Sequence, residues 1–149
     1  MTISDVPFGG PVADVNGTIW AIRAGGVANV DPQTGRTREW TLADDPAFAS
    51  SSLAPARQGG VWLVSPGVIR LFDGERFRAV IESPESVGTV VEGSDGGLWA
   101  TTGTYGLIRW ADGVWTSDPP GRPSRGAASI AVDAWLRIWA LASFVVSDA

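Results

Sequence analysis

The chain has 149 residues, enough for one domain with a core, and carries a formal net charge of −5 with no cysteine and no histidine. That charge leaves no basic stripe for a nucleic-acid backbone, and without Cys there is no disulfide framework, thiolate nucleophile or thiolate metal site. Gly 19 and Pro 10 make about a fifth of the residues against the roughly one-eighth of average usage. With 44% apolar residues this excess predicts many short elements joined by turns. No long apolar stripe of helical period suggests a bundle.

Taken in order, the sequence repeats. The opening MTISDVPFGG has neither a basic nor an apolar signal region, so it is not read as a secretion signal. Four tryptophans that follow a turn, Trp20, Trp62, Trp99 and Trp139, stand 42, 37 and 40 residues apart. Such a period matches four-stranded propeller blades. Three of them sit in matching contexts: Asn16-Gly17-Thr18-Ile19-Trp20, Gln58-Gly59-Gly60-Val61-Trp62 and Asp95-Gly96-Gly97-Leu98-Trp99. Each has Gly three residues before Trp, where a tight hairpin needs positive φ, and an aliphatic residue one before it. A second turn layer lies at Asp73-Gly74 and Asp112-Gly113, each followed by an aromatic (Phe77, Trp115); the first copy uses the longer Asp31–Gly35 before Trp40. Each unit is therefore read as strands a–b–c–d with tight turns at a–b and c–d.

The fold class expected is all-β: a β-propeller, or part of one, of about four four-stranded antiparallel blades at approximately 11–42, 53–81, 90–117 and 130–146, in a single domain over 1–149. The last copy departs from the others. Its turn Ala134-Trp135-Leu136-Arg137 lacks glycine, and its third strand is short and its fourth missing. Residues 2–6 could supply the outer strand of that blade, closing the ring and covering two edges. The run Ile138–Val146 is too short to cross a bilayer as a helix, so no membrane insertion is expected.

The turn-Gly-x-aliphatic-Trp cores at 17–20, 59–62 and 96–99, with Asp-Gly at 73–74 and 112–113, resemble the two-component-regulator propeller repeat and its relatives, including virginiamycin B lyase-like propellers. That resemblance, over roughly residues 11–142, implies blades that usually close larger rings, and a sensor-type role. It also implies that lyase activity needs a catalytic histidine, which this chain lacks. A four-bladed ring, a ring completed by self-association and a piece of a longer protein all stay open.

Catalysis by familiar routes is poorly supplied. All eleven basic residues are Arg, so Lys chemistry is absent along with imidazole and thiolate. Paired carboxylates remain, Asp44-Asp45 or Glu82 with Glu85, in polar loops where a solvated surface role is the simpler reading. Asp14-Val15-Asn16-Gly17-Thr18 resembles half a calcium loop but lacks the later acidic ligand, so no metal and no cofactor is expected. Asn16-Gly17-Thr18 is read as turn chemistry although it is formally a glycosylation sequon. Trp20, Trp62, Trp99 and Trp139 are assigned to core packing, because they recur at one slot of every copy.

The longer connections all fall at the end opposite the tight turns: d–a segments Ala43–Ser52, Ser83–Gly88 and Pro119–Gly126, and b–c loops at Gly25-Gly26, Pro66-Gly67 and Thr102–Gly106. Binding residues sit by preference on such loops above a rigid scaffold. The candidates there are Tyr105 and Thr104, with Arg122 and Arg125 as forks for an anion or carboxylate. Trp135, at the tight-turn end, is the candidate interface residue. The function expected is a non-catalytic module binding a small molecule, carbohydrate or protein. The alternatives are a carboxylate-dependent enzyme on carbohydrate or polyanionic substrate, and a structural unit that builds a larger ring by self-association.

Overall fold

In a computed structural model the described residues are 11–23, 25–42, 52–84, 87–103, 106–117, 127–133, 135 and 137–142. They contain fourteen strands and no helix. Two compact units divide the chain, Met1–Glu82 and Ser83–Ala149.

The first unit holds two sheets. Strands β1 (Val12–Ala13), β2 (Ile19–Arg23), β3 (Gly26–Val30) and β4 (Thr37–Thr41) pair in sequence order, as do β5 (Ser52–Pro55), β6 (Val61–Ser65), β7 (Val68–Phe72) and β8 (Phe77–Glu82). Every neighbouring pair is antiparallel. Alternation along β2 sends Trp20 and Ile22 to one side of the first sheet, where they meet Val61, Leu63 and Phe72 of the second. Trp20 stacks on Trp40 with centroids 5.5 Å apart, and Phe72 meets both indoles edge-on at 6.1 and 5.3 Å. Edge-to-face and offset contacts of this kind add to plain apolar burial. This aromatic cluster is the core of the unit.

The second unit holds β9 (Val87–Glu92), β10 (Leu98–Thr102), β11 (Gly106–Ala111) and β12 (Val114–Ser117) in one sheet, and β13 (Ala127–Val132) with β14 (Ile138–Ala142) in another. All of these pairs are again antiparallel. Leu98, Ala100 and Ile108 are buried, and β13 packs along β9 and β10.

The a–b turns share one design. Gly17 N–H donates to the Asp14 carbonyl, Gly59 to Ala56 and Gly96 to Gly93. The glycines stand at φ of 79°, 92° and 79°. These are tight turns followed by a left-handed residue, the positive-φ slot that the sequence marks with Gly. In the fourth copy Asp133 N–H still reaches the Arg137 carbonyl at 3.0 Å, closing the hairpin from a sequence without glycine.

All-β architecture built from antiparallel blades thus holds, with three four-stranded sheets and one two-stranded sheet among the described residues. The proposed closing strand, residues 2–6, lies outside the described residues, as do residues 143–146 of the expected fourth blade.

Candidate functional site

The four recurrent tryptophans occupy unlike environments. Trp20 and Trp62 are buried at 2% and 6% exposure, Trp99 is half-buried, and Trp139 is 58% exposed. Trp139 therefore departs from the core role expected of its slot. The physical reason is that β14 pairs only with β13 among the described strands and no described side chain stacks on it except Arg137.

Two of these tryptophans are held by an aspartate six residues earlier, a device that the turn-Gly-Trp pattern alone does not reveal. Asp14 Oδ1 accepts from the N–H groups of Asn16 and Thr18 at 2.9 and 3.1 Å, and Oδ2 accepts from Trp20 Nε1 at 2.9 Å and from Gly60 N–H at 3.2 Å. Both oxygens thus serve the turn, the indole and the next sheet, which leaves the half calcium loop a piece of turn chemistry. Asp133 repeats the arrangement: Oδ1 takes Trp135 and Arg137 N–H, and Oδ2 takes Trp139 Nε1 at 2.9 Å and Arg137 Nε at 2.7 Å. The signal was present in the sequence as Asp at the sixth position before Trp in copies one and four, against Ala56 and Gly93 in the other two.

Carboxylates at the tight-turn end are mostly committed to their own hairpins. Asp73 accepts from Glu75 and Arg76 N–H and pairs with Arg78; Asp95 accepts from Gly97 N–H and pairs with Arg109; Asp31 caps Gln33 and Thr34. The Arg76 N–H above all, with Arg78 beside it, holds Asp73 far below its ordinary value. The Gly97 N–H lowers Asp95, the Gln33 N–H lowers Asp31, and the Trp139 indole N–H lowers Asp133. These are fixed acceptors of hydrogen bonds, the opposite of a carboxyl kept protonated for general-acid work. Among the described residues no cluster of three or more acidic side chains is placed to hold a metal ion.

Of the residues singled out for binding, Thr104, Tyr105, Arg122 and Arg125 lie outside the described residues, as do Asp44, Asp45 and Glu85; Glu82 is exposed at the end of β8. What the structure does describe at the loop end of the third sheet is a framework and a depression. Thr101 and Thr102 are buried there at 2% and 3% exposure. Thr101 Oγ1 accepts from Thr89 N–H at 2.9 Å, and the β9–β10 register shifts between Ala100 and Thr102. A bulge at this place bends the end of β10 and increases its local twist. Thr102 Oγ1 ties the loop's far side by donating to the Gly106 carbonyl at 3.3 Å.

Beside that framework is an open depression of about 250 Å³ lined by Pro84, Ile108, Trp115, Thr116 and Ser117. Pro84 belongs to one long d–a segment, and Ser117 leads into the next. Trp115 is half-buried and shares the lining with the apolar Pro84 and Ile108. Thr116 Oγ1 donates to the Arg109 carbonyl at 3.3 Å, which fixes its rotamer. Such a surface can stack on a flat apolar ligand face and accept or donate hydrogen bonds at its edge.

Trp135, at the other end, is 77% exposed, with its N–H on Asp133 and the Arg137 guanidinium 5.0 Å from its ring centroid. Arg137 also lies 5.3 Å from the Trp139 ring, so one cation serves two exposed indoles.

No family model and no curated protein matches the chain. Among solved structures it is similar to a catalytically inactive virginiamycin B lyase from Staphylococcus aureus with quinupristin, at 20% identity and a TM-score of 0.67, over 89% of this chain and 47% of that one. It is also similar to the extracellular domain of a protein described as a hybrid two-component system from B. thetaiotaomicron, at 15% identity and a TM-score of 0.63, over 89% of this chain and 18% of that one. The chain spans about half of the first neighbour's length and less than a fifth of the second's. The likeness is one of fold: its sheets are propeller blades, as the repeats suggest.

Proposed function

We propose that the chain is a non-catalytic binding module of sensor type that recognises its ligand at the loop end of its blades. The observation that carries this reading is the depression of Pro84, Ile108, Trp115, Thr116 and Ser117, which sets Pro84 against β11 and β12 of the third sheet. Its indole and hydroxyl lining suits a small polyhydroxylated ligand, a carbohydrate in particular, stacked on Trp115.

Two facts support binding over turnover. The inactivating change in the lyase neighbour replaces a histidine by alanine, and this chain has no histidine. Each described carboxylate with a shifted titration is shifted downwards, first by an N–H donor of its own turn or hairpin. The extracellular two-component neighbour supports a sensor role by analogy of fold.

The test is a glycan array probed with the labelled chain, followed by calorimetry on any sugar retained. Trp115→Ala is expected to weaken binding at least tenfold, the loss of about one stacking contact. Equal retention of every sugar by the parent and by Trp115→Ala, or retention of none, rejects this site. Turnover of a retained sugar that disappears in Glu82→Gln or Asp44→Asn would establish an enzyme instead.

A further inference from the structure

The junction inside the first unit shows how one blade receives the next. The trailing side of the first sheet offers Trp20, Ile22, Val27 and Trp40, and the leading side of the second covers them with Val61, Leu63 and Phe72. The residue one before the tryptophan always belongs to the leading side, because neighbours along a strand point to opposite faces. Val61 in that position is 0% exposed and Leu98 is 1% exposed. Ile19, in the same position of the first sheet, is 37% exposed, and Ala13, its partner across β1, is exposed as well. Trp139, in the trailing position of the fourth sheet, is 58% exposed, beside exposed Ala131 on β13. Among the described residues, Ile19 thus marks an uncovered leading side and Trp139 an uncovered trailing side of the kind joined in the first unit.

The polar groups of the two open sides also match. In the filled junction Asp14 Oδ2 needs a donor from the following sheet and receives Gly60 N–H. In the fourth sheet Asp133 Oδ2 is already supplied by Arg137 Nε and requires nothing from a partner. The turn of the first sheet has no such donor to lend, since Thr18 N–H is engaged by Asp14 Oδ1. A leading side without a spare donor thus meets a trailing side without a spare acceptor, and no buried polar group is left unpaired.

We propose that the Trp139 side of the fourth sheet docks on the Ile19 side of the first sheet of a second copy of this chain. The contact is heterologous, with different surfaces meeting, so it either closes a ring or extends. Two copies bring eight sheets, twice the four of one chain, within the range of four to eight blades that propellers close.

Light scattering across a dilution series of the full chain is expected to give about 31 kDa, twice the 15.6 kDa of one copy, with dissociation on dilution. Trp139→Ser and Ile19→Arg are each expected to raise the dissociation constant about tenfold or more, as for central contact residues. Both positions are exposed in the single chain, and an unchanged far-UV spectrum would show that each variant folds. Mixing the two variants leaves one intact pair of sides, Ile19 on one copy with Trp139 on the other, and is expected to restore association between unlike chains. A monomer at all concentrations overturns the proposal. So does an Ile19→Arg chain that associates like the parent, which would mean Trp139 meets its own counterpart or another partner.

Discussion

Asp14 ties three levels of structure at one carboxylate: the turn through Asn16 and Thr18, the strand through the Trp20 indole, and the next sheet through Gly60. Removing it leaves buried donors without acceptors, each costing about 1–3 kcal/mol. Asp14→Ala is therefore expected to lower stability by about 2–4 kcal/mol in urea unfolding, and Asp133→Ala by clearly less, because Asp133 serves an exposed indole. Equal losses would show that burial of the indole is not what gives the clasp its value. The same carboxylates set the acid response. Asp31, Asp73, Asp95 and Asp133 all titrate in the fold below their ordinary value of 3.8. A depressed folded value means that the stabilisation is fully present above the unfolded value and is lost as pH falls through the folded ones. Urea midpoints should hold steady from neutrality to about pH 5 and fall below about pH 4. Asp73→Asn should flatten that fall, and a midpoint that dropped between pH 7 and 5 would contradict the assignment.

At the scale of the element, most of the architecture was legible because each blade writes its own punctuation. The turns at Pro66-Gly67 and Asp73-Gly74 bound the strand between them, and β7 runs over Val68–Phe72. The glycines at 17, 59 and 96 mark turns because only a residue without Cβ takes positive φ cheaply. Less legible was how differently the repeated tryptophans would be used. A slot in a repeat specifies which way a side chain points, and only the neighbouring sheet decides whether it is covered, so Trp20 is buried and Trp139 is not. The binding residues expected from the sequence, Thr104, Tyr105, Arg122 and Arg125, lie outside the described residues, and the depression is built from others. Trp115 was read as the closing aromatic of a turn, yet it also lines the depression, a role set by Pro84 from a different connection. Gly60 makes the same point about backbone approach. It stands at φ 80°, and a Cβ there would run into the Phe72 carbonyl oxygen, while its N–H reaches Asp14. Gly60→Ala is expected to cost at least about 2 kcal/mol, strain and steric overlap together. Trp20→Ala should cost about 3–5 kcal/mol, as for large core side chains, and Trp139→Ala much less in the dissociated chain. Thermal melts of the three variants at high dilution check that order.

At the scale of the whole molecule, stability and association become one measurement. A contact made only by folded chains stabilises the fold in proportion to the logarithm of concentration, so the melting temperature of an associating protein rises as it is concentrated. The Trp139 and Ile19 sides are formed only when β14 and β2 are paired in their hairpins, since the unfolded chain has neither side. Melting of the parent should therefore shift upward over a hundredfold increase in concentration, by about 2.7 kcal/mol of linkage once the chain stands a hundredfold above its dissociation constant. Trp139→Ser should melt near the dilute parent's temperature and stay there at every concentration, because the side chain it removes is exposed in the single copy. This separates assembly from packing: a variant that lost core contacts would melt lower at all concentrations with the parent's slope, whereas one that lost only the junction loses the slope. A parent whose melting ignores concentration would leave the two open sides without a role in association, whatever binds at the loop end.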